Sequence, residues 1–166
     1  MNINPTRLQQ HFEAMSLIGK IGETGTCRPT MTVLEKEAFH LAAAWMEDAG
    51  MKTRIDHFGN LIGRLEGQDP ALPVLMIGSH LDSQPYGGRF DGVAGVLCAI
   101  EAVKAFTEQG QVSQRSIEVV SFADEEGWRF TKGLFGSRGI LGKLEPGDLQ
   151  RTDKHGITRE QALIDF

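Results

Sequence analysis

The chain has 166 residues, of which 40% are hydrophobic and 23% are charged, and its formal net charge is −5 at pH 7. This length suits one domain with a buried core, and the acidic balance excludes the basic footprint of a protein that binds nucleic acid or an anionic membrane. No apolar run approaches a membrane span and no signal-like segment opens the chain, so we expect a cytoplasmic protein.

The N-terminal third carries two helix patterns separated by a loop. Apolar residues recur at helical spacing in residues 6–18, and the Gly- and Thr-rich residues 19–29 predict a loop. Arg28 in this loop could reach a substrate carboxylate, but a single loop arginine is more often solvated. Thr32 and Glu35 form a capping box that opens an amphipathic helix ending at Gly50.

The middle of the chain predicts a hairpin followed by a βαβ unit. Residues 53–58 and 61–66 flank a Gly-Asn turn, which is typical of a hairpin. Residues 74–79, 92–107 and 116–123 have strand, helix and strand patterns, so the two strands should be parallel and joined by a right-handed crossover. Cys98 lies in the apolar helix pattern and is expected in the core.

The C-terminal part predicts turns with a short helix over residues 130–142 and one more helix over residues 158–166. Arg138 in the first of these segments is a weak candidate for anion binding. Of the other histidines, His40 is expected at the surface rather than at a metal, and neither His57, in the hairpin, nor His155 is assigned to the metal site. The K-H-G context of His155 does not match a ligand motif.

The end of the first parallel strand carries His80, Asp82 and Asp91 in the segment I-G-S-H-L-D-S-Q-P-Y-G-G-R-F-D-G, residues 77–92. His80 and Asp82 are two residues apart, so both side chains project from one face of extended backbone. This pairing suits a metal-ligating imidazole oriented by a carboxylate. Taken alone, His80 is better explained as a satisfied histidine in a polar loop, with Asp91 as a helix N-cap.

The end of the second parallel strand carries Asp124, Glu125 and Glu126. Adjacent acids after a buried strand repel one another and lose hydration, so they need compensation, which a pair of divalent cations would supply. Histidine with carboxylates suits zinc, manganese or cobalt rather than calcium or magnesium. The alternative is a solvated acidic turn. Neighbouring parallel strands place both sets of residues at one sheet edge, where open α/β sheets bind ligands.

The motifs G-S-H-L-D-S, G-G-R-F-D-G and A-D-E-E-G resemble the dinuclear-metal amidohydrolases of the M20 peptidase group. Within that group they are most similar to the branch of N-carbamoyl-L-amino-acid hydrolases, β-ureidopropionases and allantoate amidohydrolases. The resemblance extends to G-N-L-I-G-R-L and G-L-F-G-S-R-G, and it departs from the branch at Asp82-Ser83, where the usual pair is Asp-Thr.

The resemblance implies an α/β fold: a three-layer α-β-α arrangement with a mixed, largely parallel sheet and helices on both faces. Residues 1–166 would be the N-terminal segment of a zinc-peptidase-like catalytic domain. An inserted dimerisation domain and the C-terminal part of the catalytic domain would lie outside this segment. The full-length protein would be a homodimer, and the segment alone would be inactive because metal ligands are missing.

The resemblance also implies a role for each candidate site residue. Asp91 would bridge two divalent metal ions, which could be zinc, manganese, cobalt or nickel, and His80 and Glu126 would each be a ligand of one ion. Asp82 would hold the other ring nitrogen of His80, and Glu125 would be the general base for the attacking water. The expected reaction is hydrolysis of a linear amide C–N bond in a small N-carbamoyl or ureido compound, with no nucleic-acid or membrane partner.

Two other functions stay open at this point. One is a dipeptidase or deacylase of the same group, although G-G-R-F-D-G and G-N-L-I-G-R-L favour the carbamoylase branch. The other is a non-catalytic remnant that associates with a partner chain. The residues specify neither the substrate nor the metal, since histidine and carboxylates accept several divalent ions.

Overall fold

The computed structural model describes residues 2–166. Its elements, in chain order, are α1 (Pro5–Leu17), β1 (Lys20–Ile21), β2 (Gly25–Arg28), α2 (Val33–Asp48), β3 (Lys52–Ile55), β4 (Leu61–Leu65), β5 (Leu75–His80), β6 (Ser83–Gly88), α3 (Val93–Glu108), β7 (Ile117–Phe122), α4 (Phe135–Ile140) and α5 (Arg159–Asp165). The helices predicted from residues 6, 32, 92 and 158 each begin within one residue of these positions, and the short helix predicted within residues 130–142 is α4. None of the helices in residues 2–166 has the length and apolarity needed to cross a membrane.

A four-stranded mixed sheet, with strand order β3-β4-β7-β5, forms the centre of the α/β fold. Strands β5 and β7 are parallel from Leu75↔Ile117 to His80↔Phe122 and are connected through α3, which confirms the predicted βαβ unit. Strand β4 runs antiparallel to both β3 and β7, which confirms the hairpin. Because His80 pairs with Phe122, the two segments that follow these strands start side by side.

The main hydrophobic core joins α1, α2 and α3 to the sheet through buried residues such as Met15, Ala42, Leu97 and Val119. The predicted apolar stripe of α2 packs directly on β4: a Cβ added at Gly63 would lie 2.7 Å from the sulfur of Met46. A smaller cluster packs α4 and α5 beside the end of β7.

A second sheet, β1-β2-β6, replaces the loops that the sequence predicted for residues 19–29 and for the glycine-rich segment after Asp82. Residues Gly25 and Thr26 of β2 pair with Gly88 and Gly87 of β6. The loop prediction was wrong because glycine is a poor strand former in isolation, whereas here the pairing is stabilised by buried side-chain contacts between the strands.

The capping box was predicted only half correctly. Thr32 is the N-cap of α2, but its side chain makes no capping hydrogen bond and donates instead to the carbonyl of Pro29 at 2.7 Å. Glu35 is buried and accepts from the amide of Met31 at 2.5 Å and from the hydroxyl of Thr30 at 3.2 Å. Glu35 therefore anchors the segment that precedes the helix.

Two further predictions about burial were wrong. Cys98 is exposed because it lies on the outward side of α3, between buried Leu97 and Ala99. Arg28, predicted to be solvated, has no exposed surface (0%). Its guanidinium is surrounded by backbone carbonyls, which offer acceptors that no side-chain pattern reveals.

Candidate active site

The parallel pairing of β5 and β7 brings three of the predicted site residues together. The Nε2 atom of His80 lies 3.4 Å from a carboxylate oxygen of Glu125 and 3.9 Å from one of Asp91. Asp91 reaches this place because it lies two residues before Val93, the first residue of α3. The two carboxylates face the same ring nitrogen from different segments of the chain.

Gly92 makes this close approach possible. Its φ is +66°, and a Cβ added there would lie 2.5 Å from the ring atoms Cε1 and Nδ1 of His80. A left-handed conformation with no room for a side chain requires glycine. The last glycine of G-G-R-F-D-G therefore lets Asp91 and His80 share one site.

Asp82 connects the ends of the two parallel strands. Its buried carboxylate accepts hydrogen bonds from the backbone amides of Glu125 at 3.3 Å and of Glu126 at 3.2 Å. The Nδ1 atom of His80 lies 3.0 Å from the backbone carbonyl of Asp82 and 3.5 Å from its carboxylate. The sequence predicted that Asp82 faces His80, but not that it holds the acidic turn.

The site has unbalanced negative charge. Burial lowers the pKa of His80, but the hydrogen bonds and charge of Asp82 outweigh burial and raise that pKa to about 9. Burial raises the pKa of Glu126. The positive charge of His80 lowers this pKa, and the negative charge of Asp91 raises it further. One oxygen of Glu126 is buried without a hydrogen-bond partner. These donors, an imidazole and carboxylates with unused oxygens, fit a divalent cation.

The arrangement of these donors is open and incomplete. Within residues 2–166, no group of three or more His, Cys, Asp or Glu side chains is placed so that it could hold a metal ion. The side chain of Asp91 is 62% exposed and that of Glu125 is 34% exposed. His40 is exposed, as predicted, and so are His57 and His155.

Asp124, the first of the three adjacent acids, has different surroundings from Glu125 and Glu126. Asp124, which has a φ of +50°, turns inward and pairs with Arg159 at 2.8 Å, and both side chains are fully buried. Burial raises the pKa of Asp124 to about 7, against the lowering effect of Arg159. Sequence reasoning treated Asp124 as equivalent to Glu125 and Glu126 and missed Arg159 as its partner.

Other sequence motifs have a packing role. The buried side chain of Asn60 accepts from the amide of Ala123 at 2.9 Å and donates to the carbonyl of Gly136 at 3.3 Å. It thereby ties β4 to the end of β7 and to α4. Arg138, the weak anion candidate, forms an ion pair with buried Asp148.

The chain is similar to proteins of known class. The model of Peptidase family M28 matches residues 60–154. An N-carbamoyl-L-amino-acid amidohydrolase from Pseudomonas sp. (strain NS671) is 50% identical over 166 residues, which are 100% of this chain and 40% of that protein. An allantoate deiminase from Arabidopsis thaliana is 37% identical, over 88% of this chain and 29% of its own length.

A crystal structure of a hydantoinase/carbamoylase family amidase from Burkholderia ambifaria superposes with a TM-score of 0.93 at 40% identity, over 98% of this chain and 40% of that one. The resemblance to the carbamoylase branch is thus confirmed. The family that matches the chain is peptidase family M28, whereas the sequence motifs suggested the M20 group. The chain spans about 40% of the length of the Pseudomonas relative.

Proposed function

Since the chain belongs to peptidase family M28, we propose that it is the N-terminal part of a metal-dependent amidohydrolase. The proposed reaction is hydrolysis of the linear amide C–N bond of an N-carbamoyl amino acid or another small ureido compound. The observation that carries the proposal is the convergence of Asp91 and Glu125 on Nε2 of His80, at the ends of two adjacent parallel strands. The names of the similar amidohydrolases and deiminases support the substrate class.

His80, Asp91 and Glu126 would hold two divalent metal ions. Zinc, manganese, cobalt and nickel all suit this set of imidazole and carboxylate donors. When bound, such ions polarise a carbonyl and lower the pKa of water towards ~7. The unpartnered buried oxygen of Glu126 supports this assignment. The remaining ligands would come from the part of the full-length protein that this chain does not span.

Glu125 would be the general base of the reaction. Its carboxylate is one third exposed and lies beside Nε2 of His80, so it is accessible to a water molecule and a substrate. It would take a proton from the attacking water and pass it to the leaving nitrogen. Asp82 would support this step, because it holds the backbone of Glu125 and faces the other nitrogen of His80.

We further propose that residues 1–166 are one segment of the catalytic domain, followed in the full-length protein by an inserted dimerisation domain and the rest of the catalytic domain. The 40% coverage of the Pseudomonas relative supports this organisation. The full-length protein would be a cytoplasmic homodimer, and the segment alone would be inactive. Sedimentation of the full-length protein at the mass of a monomer would contradict the dimer.

The decisive experiment is an assay of the full-length protein on N-carbamoyl amino acids, allantoate and dipeptides. We expect ammonia release from a carbamoyl or ureido substrate, loss of activity with a chelator and recovery with zinc, manganese, cobalt or nickel. The family description favours a peptidase as the second candidate. Hydrolysis of dipeptides alone would establish that alternative, and activity unaffected by chelation would overturn the metal centre.

A further inference from the structure

Arg28 lies beneath the turn that connects His80 to Asp82. Its Nε donates to the carbonyl of Leu81 at 2.8 Å, and its backbone amide donates to the hydroxyl of Ser83 at 2.9 Å. Leu81 is the single residue between His80 and Asp82. Arg28 therefore binds the chain on both sides of Asp82.

The remaining contacts of Arg28 fix it to α1. Its Nη1 donates to the carbonyl of Ile18 at 2.9 Å and lies 3.5 Å from that of Met15. Among residues 2–166, no carboxylate forms an ion pair with this guanidinium, although the negative charges of Asp82 and Glu35 act on it. A buried cation is costly unless its donors are used. Here backbone carbonyls accept from Nε and Nη1, whereas Nη2 is buried without a hydrogen-bond partner.

We propose that Arg28 is a positioning residue for the metal site. By holding the carbonyl of Leu81, it sets the orientation of the peptide between Leu81 and Asp82. That orientation directs the Asp82 carboxylate towards the amides of Glu125 and Glu126 and keeps His80 facing the rim of the site. The inference rests on the proposed function, because it concerns the ligands of that metal centre.

A purely structural role would have a different signature. If Arg28 only fastened α1 to the sheet, replacing it would lower stability and leave the affinity of the site for metal unchanged. Arg7 offers a matched control, since it fastens α1 to α3 through an ion pair with Glu101 at 2.7 Å and touches no part of the site. The comparison of Arg28 and Arg7 variants separates positioning from anchoring.

The experiment uses the full-length protein, stripped of metal and titrated with Zn²⁺ by calorimetry, with thermal unfolding recorded in parallel. Arg28→Lys keeps the positive charge. It removes the planar guanidinium, whose nitrogens donate to the carbonyls of Leu81 and Ile18 at the same time. We expect it to weaken Zn²⁺ binding about 10- to 100-fold, as for other residues that orient metal ligands. Arg7→Met should lower Tm while Zn²⁺ affinity stays within about twofold.

Zn²⁺ affinity of Arg28→Lys equal to that of the wild type would overturn the inference and leave the proposed function intact. A wild-type protein that binds no Zn²⁺, Mn²⁺, Co²⁺ or Ni²⁺ would overturn both. Should Arg28→Lys fail to fold, Ser83→Ala replaces it, because this change removes the hydroxyl that accepts from the Arg28 amide and from the hydroxyl of Thr26. Unaltered Zn²⁺ affinity in Ser83→Ala would then count against positioning through this turn.

Discussion

The molecule has two contrasting groups of carboxylates: a rim group, Asp91 and Glu125, which faces His80, and a buried group, Glu35, Asp82 and Asp124. The buried group is bound to backbone amides or to arginine. In the part of the chain that the structure describes, the rim group contacts no cationic side chain other than His80. The two groups thus differ in partners as well as in exposure.

The rim group is therefore suited to binding and catalysis, and the buried group to supporting the fold. The buried carboxylates have almost no exposed surface, so a ligand in the site cannot reach them, whereas the rim carboxylates are open to solvent and can bind one. Substitutions in the rim group should therefore change activity or metal content. Substitutions in the buried group should change folding stability first.

The largest effect should follow from Glu125→Gln, because glutamine cannot accept the proton of the attacking water. We expect kcat of the full-length protein to fall at least ~10²-fold, as for loss of a general base. Bound metal, measured by elemental analysis, should be retained. Glu126→Ala is the matched control and should instead lose one of two metal ions. A wild-type rate in Glu125→Gln would remove this residue from the role of base.

The buried group can be tested with Arg159→Met, which leaves Asp124 buried without its cation. Breaking a buried ion pair by removing one partner costs ~3–5 kcal/mol, so the free energy of unfolding in urea should fall by about that amount. The double variant Arg159→Met/Asp124→Asn removes the uncompensated charge and should recover most of the loss. A double variant no more stable than the single one would show that the charge is not the cause.

Glu35→Gln tests the buried group through pH. Burial, and then the charge of Asp82, raises the pKa of Glu35 well above its ordinary value of 4.5. The folded state therefore favours the protonated acid, and the wild type should lose stability as the pH rises above 4.5. Glutamine keeps an oxygen for Met31 and Thr30 but cannot ionise.

At pH 8 the Glu35→Gln protein should therefore be more stable than the wild type, by on the order of 1–3 kcal/mol, and at pH 4 the two should converge. Urea unfolding at both values measures this. Glu37→Gln, an exposed position on the same helix, is the control and should change little. Equal pH dependence of Glu35→Gln and wild type would mean that Glu35 is ionised in the folded protein.

The sequence predicted the rim group better than the buried group, for a physical reason. Strand patterns locate the strand ends, and adjacent parallel strands must place His80 and Glu125 at one edge. The buried group depends on details that no pattern shows: the positive φ of Asp124, and the backbone carbonyls that surround Arg28. Backbone acceptors exist at every residue, so nothing in the sequence marks Leu81 as the partner.

The smallest effect concerns the loop that carries Asp91, which is held by aromatic contact instead of buried charge. The ring of Phe90, next to Asp91, meets Phe12 of α1 edge-to-face at a centroid distance of 5.3 Å. Such a pair contributes ~0.5–1.5 kcal/mol. Phe12→Ala should therefore weaken Zn²⁺ binding of the full-length protein only a few-fold.

His11→Gln provides the control for that prediction, because His11 stacks on Trp45 at 3.9 Å and also holds α1, but away from Phe90. It should lower stability without changing Zn²⁺ affinity in the same calorimetric titration. Equal weakening of Zn²⁺ binding in both variants would mean that any loosening of α1 disturbs the rim. In that case the contact between Phe12 and Phe90 is not a specific support of Asp91, and the rim depends on the helix as a whole.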